Sequence, residues 1–134
     1  HGKTLMGLKI TLKPGERMDL RRAELTNGAA KSNLIIEDTV PILREKDILN
    51  PEKANSPARR IYFTIQLMYI DGNNLTVHHK AYWKLVRDFL NAAPSAMEIV
   101  DRISKEILNG SYYQALKTGK KLIAYEEEVI ARVQ

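Results

Sequence analysis

The hydrophobic period changes near residue 50, and that change constrains the fold more than any other feature of this 134-residue chain. Before it, Leu8, Ile10 and Leu12 alternate with Lys9, Thr11 and Lys13, the two-residue period of a half-buried strand. After it, Ala58, Ile61, Ile65 and Met68 recur at three- and four-residue spacing. Tyr62, Phe63, Leu67 and Tyr69 extend that apolar surface most of the way round, and a helix apolar nearly all round has to be buried. Strands followed by helices predict an α+β fold by segregation. The expectation is a small antiparallel β unit of about five strands over 6–50, then a bundle of about four helices over 51–134, together forming one compact domain.

Local signals refine this outline. Lys13-Pro14-Gly15-Glu16 reads as a turn, because Pro presets φ and Gly supplies φ > 0. Arg17 to Leu25 reads as one weaker strand interrupted by paired arginines, and Thr26-Asn27-Gly28 as a hairpin turn. Residues 33–36 and 39–43 complete the strands, and Pro41, which cannot donate to a ladder, puts the last one at an edge or bulge. Ser56-Pro57 is a helix start, with a hydroxyl acceptor at the N-cap and Pro at N1; that helix runs to about Ile70. A second helix spans about 75–92, with Tyr82, Leu85, Val86, Phe89 and Leu90 as its apolar face. Ser95 with Glu98 forms a capping box for a third, which Gly110 ends, and a fourth covers about 111–131 with Gly119 as its weak spot.

Several function classes fall away. The chain has no Cys, so disulfides, thiol nucleophiles, Fe–S clusters and Cys-based zinc sites are excluded. No run reaches the roughly 18 apolar residues of a membrane span. No secretory pattern opens the chain, and a cytoplasmic protein is the default expectation. The first five residues, which precede Met6, read as an expression remnant. His78 and His79 are adjacent, so on a helix they point about 100° apart and cannot make the i, i+4 metal pair. Phosphate-loop, dinucleotide, zincin and nucleophile-elbow motifs are all missing. The chain reads as a non-enzyme with no cofactor and no metal.

The charged residues offer better leads. Of the net charge of +5, +4 lies within residues 1–31. Lys9, Lys13, Arg17, Arg21, Arg22 and Lys31 would form one phosphate-attracting patch if the hairpins bring them together. The strands carry no aromatics, so a base-stacking platform is missing there, and a solvated basic face is the competing reading. Arg59 and Arg60 either pair with Glu45, Asp47 or Glu52, tying the β unit to the first helix, or bind a ligand. Glu126-Glu127-Glu128 is the densest carboxylate run, suited to solvation or to a basic partner. Tyr112, Tyr113 and Tyr125 either pack in the core or line a groove for an amphipathic partner helix.

Longer ordered motifs point to a family. Leu12-Lys13-Pro14-Gly15-Glu16, the run from Ile42 to Ile48, Ser56 to Phe63 with Gln66 to Tyr69, and Tyr112 to Lys117 through Leu122 to Glu128 together resemble the FlbT family of bacterial flagellar biosynthesis repressors. The similarity covers essentially all of Met6 to Ala131. It implies a post-transcriptional regulator of flagellin synthesis that acts on the flagellin mRNA leader and lowers its translation or lifetime; in some bacteria the effect is positive. It also implies a functional opposition to the small protein FlaF. No catalytic or RNA-contact residues transfer with the resemblance. Lys9, Lys13, Arg17, Arg21, Arg22, Lys31, Arg59 and Arg60 are therefore RNA-contact candidates on charge alone. Tyr112, Tyr113, Tyr125, Glu126 and Glu127 are candidates for a protein partner. The alternative is a protein-binding module that recognises flagellin, its export chaperone or a FlaF-type protein and affects mRNA indirectly. A homo-oligomer fits either reading.

Overall fold

A computed structural model describes residues 8–20, 23–26, 31–36 and 42–133. The chain divides into two compact units, His1–Ile48 and Leu49–Gln134.

In the first unit the strands are β1 (Leu8–Leu12), β2 (Arg17–Leu20), β3 (Ala23–Thr26), β4 (Ser32–Ile36) and β5 (Ile42–Arg44). They do not assemble into one five-stranded β unit. β1 pairs only with β4, antiparallel, with Ile10 opposite Leu34; β2 pairs on one side with β3 and on the other with β5. The expected α+β balance is corrected in the same way. The molecule is mainly helical, with short strands split between a two-stranded and a three-stranded ladder. One local reading fails for an identifiable reason. The segment 17–25 is two strands, with Leu20 opposite Ala23, joined through Arg21 and Arg22, which carry none of the Gly, Asn or Pro that marks a tight turn. β3 and β4 belong to different ladders, and Asn27 and Gly28, read as a hairpin turn, lie outside the described residues. Pro41 lies outside the described residues, while β5 sits at a sheet edge.

The turn at Lys13–Glu16 forms as read. The Glu16 N–H donates to the Lys13 carbonyl at 3.1 Å, and Gly15 adopts φ +74°. Met18, Ile42 and Leu43 are buried there.

The second unit is the expected four-helix assembly: α1 (Pro57–Ile70), α2 (Leu75–Ala92), α3 (Met97–Leu108) and α4 (Tyr112–Val133). Helix α1 packs against both α2 and α4, and α3 against α4. As its all-round apolarity demands, α1 is buried along its length, and only Pro57 and Arg60 are exposed. The core also buries Tyr82, Val86 and Phe89 of α2, Val100, Ile103 and Ile107 of α3, and Ala115, Leu116 and Leu122 of α4. Gln66 replaces a missing strand partner for the entering chain, since its amide accepts from the Leu49 N–H at 2.8 Å and donates to the Leu49 carbonyl at 3.0 Å. Tyr82, fully buried, bonds the Ser104 hydroxyl at 2.8 Å, and burial pushes its phenol up to about 12.

Gly119 has a specific role beyond being a weak helix former. A Cβ there would lie 3.1 Å from the Tyr62 ring, so the missing side chain lets α1 and α4 approach. The anticipated Ser95–Glu98 capping box does not form. Ala96 occupies the N-cap of α3 without a side-chain bond, and the Ser95 hydroxyl turns to the Tyr125 hydroxyl instead.

Candidate functional site

The start of α1 shows how the helices fix their surroundings. The first N–H groups of a helix have no partner within it. Here Pro57 has none to satisfy, the Arg59 N–H reaches Ser56 Oγ at 3.2 Å, and the Ala58 N–H reaches Glu126 Oε2 at 2.9 Å. A carboxylate from α4 therefore completes the cap of α1, where the helix dipole favours negative charge. Arg59 is drawn into the same junction, bonding Glu127 Oε2 at 2.5 Å and Ser56 Oγ at 3.3 Å. Within the helical unit the partner of Arg59 is thus Glu127 and not Glu52. The third member of the acidic run, Glu128, pairs with Arg132 one turn on. The carboxylate run is spent mostly on holding α4 to α1.

Of the basic candidates of the N-terminal unit, Arg17 and Lys13 have partners. Arg17 Nε lies 3.5 Å from Glu45 Oε1, and the same carboxylate accepts from the Arg17 N–H at 2.8 Å. Arg44 forks onto Glu16, with Nε to Oε2 at 2.8 Å and Nη2 to Oε1 at 2.7 Å. That fork, helped by the Lys13 N–H, pulls the Glu16 carboxyl down from 4.5 to about 2. Lys13 is exposed but has partners, Lys31 is exposed, and Lys9 sits on β1 opposite Ile35. Arg21 and Arg22 lie outside the described residues. Arg17 is thus engaged with a carboxylate, while the β1–β4 register that sets Leu12 opposite Ser32 brings Lys13 and Lys31 to the same end of that ladder.

Helix α2 carries the arrangement that the sequence reading passed over. Lys80, Lys84 and Arg87, spaced i, i+4 and i+7, fall on one stripe of the helix. All three are exposed, and none has an ion-pair or hydrogen-bond partner among the described residues. The stripe lies on the far side of α2 from buried Tyr82, Val86 and Phe89. Trp83 flanks it with 41% of its surface exposed, its ring held edge-on against Tyr82 with centroids 5.0 Å apart. An aromatic face beside three unneutralised cations is the combination a single-stranded nucleic acid uses. The signal was present in the sequence as three bases at helical spacing opposite the apolar face.

The tyrosines separate. The Tyr112 hydroxyl bonds His79 Nε2 at 3.0 Å; Tyr113 packs on Tyr69, with Lys117 Nζ 5.1 Å from its ring centre. Both are half-buried structural contacts. Tyr125 and Glu126 instead line an open groove of about 380 Å³. Pro57 and Arg60 form its α1 side, Leu85 and Phe89 its α2 side, and Val129 and Ile130 its α4 side. Of the proposed partner residues, the groove brings together only Tyr125 and Glu126, and of the proposed RNA residues it takes Arg60.

Comparison with known proteins identifies the family. The family model described as flagellar protein FlbT matches residues 8–130. The chain belongs to the FlbT family. A probable flagellum biosynthesis repressor FlbT from Bradyrhizobium diazoefficiens is 48% identical, covering 92% of this chain and 85% of the relative. One from Rhodopseudomonas palustris is 38% identical, covering 95% of this chain and all of the relative. The flagellum biosynthesis repressor FlbT of Caulobacter vibrioides is 35% identical, covering 96% of this chain and 92% of the relative. No solved structure matches the chain. The described residues contain no group of three potential metal ligands, and no helix long and apolar enough to cross a membrane.

Proposed function

We propose that this chain is a cytoplasmic, non-enzymatic regulator of flagellum biosynthesis that binds the leader of flagellin mRNA and lowers its translation or lifetime. Its relatives' names as flagellum biosynthesis repressors support the biological role. The observation that carries the RNA reading is the free Lys80–Lys84–Arg87 stripe with Trp83 beside it. Phosphates displace condensed counterions when lysines and arginines neutralise them, so binding by three such groups falls with salt at a log–log slope near −2 on single strands, about −0.7 per contact. Trp83 supplies a stacking face that tolerates any base.

The test is affinity of the purified chain for the labelled flagellin leader RNA between 50 and 200 mM salt. A variant with Lys80, Lys84 and Arg87 changed to Gln should lose most of the salt dependence, which over that range amounts to roughly 20-fold in affinity. An unchanged slope in the variant, or no salt-sensitive affinity in the native chain, refutes the reading.

A further inference from the structure

The groove between α1, α2 and α4 lies on a different face of α2 from the basic stripe, and nothing in the RNA reading uses it. Its lining is mostly apolar, with Leu85, Phe89, Val129 and Ile130 prominent, which disqualifies it as a phosphate site. Ile130 leaves 44% of its surface exposed at the rim, beside the apolar floor of the groove. Two opposite charges stand at its walls, Arg60 on α1 and Asp88 on α2. Both are exposed, and neither has a side-chain partner among the described residues. Glu126, only 8% exposed, lines the same groove, and its Oε1 atom is buried without a hydrogen-bond partner although Oε2 is used by the Ala58 N–H.

We propose that this groove docks an amphipathic helix of a partner protein. The docking helix presents an apolar stripe, with an acidic flank meeting Arg60 and a basic flank meeting Asp88. The secondary structure of the occupant follows from the walls. All three are helices, and the first-turn donors of α1 are already taken by Ser56 and Glu126. An extended segment would enter an apolar channel with neither a strand edge nor free α1 donors to receive its backbone groups, at a heavy cost for each left unpaired. A helix brings its backbone groups already paired and offers the i, i+3, i+4, i+7 anchors that apolar grooves receive. The opposed charges then choose its direction, since reversing the helix would exchange its two flanks.

The experiment uses the full chain and a designed 14-residue peptide with leucines at helical spacing, glutamates along one flank and lysines along the other. Amide NMR shifts and fluorescence anisotropy are the readouts. Saturable shifts confined to the groove-lining segments of α1, α2 and α4 support the proposal. Arg60→Glu should weaken the peptide about fivefold, from loss of one rim attraction and gain of one repulsion. A peptide with lysines on both flanks should bind that variant better than it binds the native chain. Ile130→Asp, at an exposed position, should weaken both by more than tenfold. Any of four results overturns the proposal: no groove shifts at millimolar peptide; equal binding of a proline-interrupted peptide; an anilinonaphthalene dye seated in the groove that peptide cannot displace; or groove shifts that follow the concentration of the chain itself, which would make a second copy the occupant.

Discussion

Gly119 sits in the middle of α4, where alanine would ordinarily stabilise, and the structure predicts the opposite. In an exposed helix interior Gly→Ala gains about 1 kcal/mol. At this position the new methyl group would lie 3.1 Å from Tyr62 Cδ2 and 3.7 Å from Ile65 Cδ1. Carbon atoms prefer about 3.5–4.0 Å, so the ring must withdraw by several tenths of an ångström. It has little room to do so, because Tyr62 is 3% exposed and Ile65 fully buried. Overpacking a tight core costs about 1–3 kcal/mol, which exceeds the propensity gain. Gly119→Ala should therefore destabilise the helical unit by about 1 kcal/mol, a fall of roughly 4–8 °C in Tm for a unit of this size. Urea unfolding followed by far-UV circular dichroism gives the free energy directly. A double-mutant cycle isolates the contact: with Tyr62→Leu as the background, adding Gly119→Ala should become neutral or stabilising, a coupling of about 1 kcal/mol or more. A rise in Tm on Gly119→Ala in the native background would refute the close-approach argument.

Two further outcomes rest on individual carboxylates. Glu126→Ala removes the acceptor for the Ala58 N–H and a negative charge from the start of α1, and should cost about 1–2 kcal/mol; Glu126→Gln, which keeps an acceptor, should cost less, and equal losses in urea unfolding would show that the bond does not matter. Glu16 is held at about 2 by Arg44, below its ordinary 4.5, so its ionised form stabilises the N-terminal unit; that contribution is fully present above about pH 5 and drains away as pH falls towards 2. Arg44→Met should flatten the pH dependence of unfolding in that window, and an undiminished slope would count against the pairing.

What could be read from the sequence follows the range of the interactions involved. The bounds of α1 were legible because Ser56, Pro57 and the apolar run up to Ile70 act locally, and α2 was legible because its apolar period stops just before Pro94. The strand pairing was not. Nothing local to Arg21-Arg22 marks a reversal, and Asn27-Gly28 advertises one between β3 and β4, which belong to different ladders. Ser95 had two competing partners, a local backbone N–H and the Tyr125 hydroxyl, and the tertiary contact prevailed over the local cap. Glu126 was unreadable for the same reason. Along α4 it looks like a misplaced charge near a C-terminus, and only the packing of α4 on α1 sets it at the start of another helix.

The basic residues carry the sharper lesson, because charge density along a sequence and free charge in space are different quantities. The surplus of the first 31 residues made the strands the natural place to look for phosphate contacts. Yet a guanidinium whose fork already holds a carboxylate can bind a phosphate only after that pairing is undone. Arg44 with Glu16 is such a case, and Arg17 with Glu45 and Arg59 with Glu127 are weaker ones. For Lys80, Lys84 and Arg87 no such pairing with a described residue has to be undone. They also project from one helix whose opposite face is buried in the core, so little backbone order has to be created on binding. Lys80, Lys84 and Arg87 are for that reason the cations on which the proposed phosphate contacts rest, with Trp83 exposed beside them as the proposed stacking face.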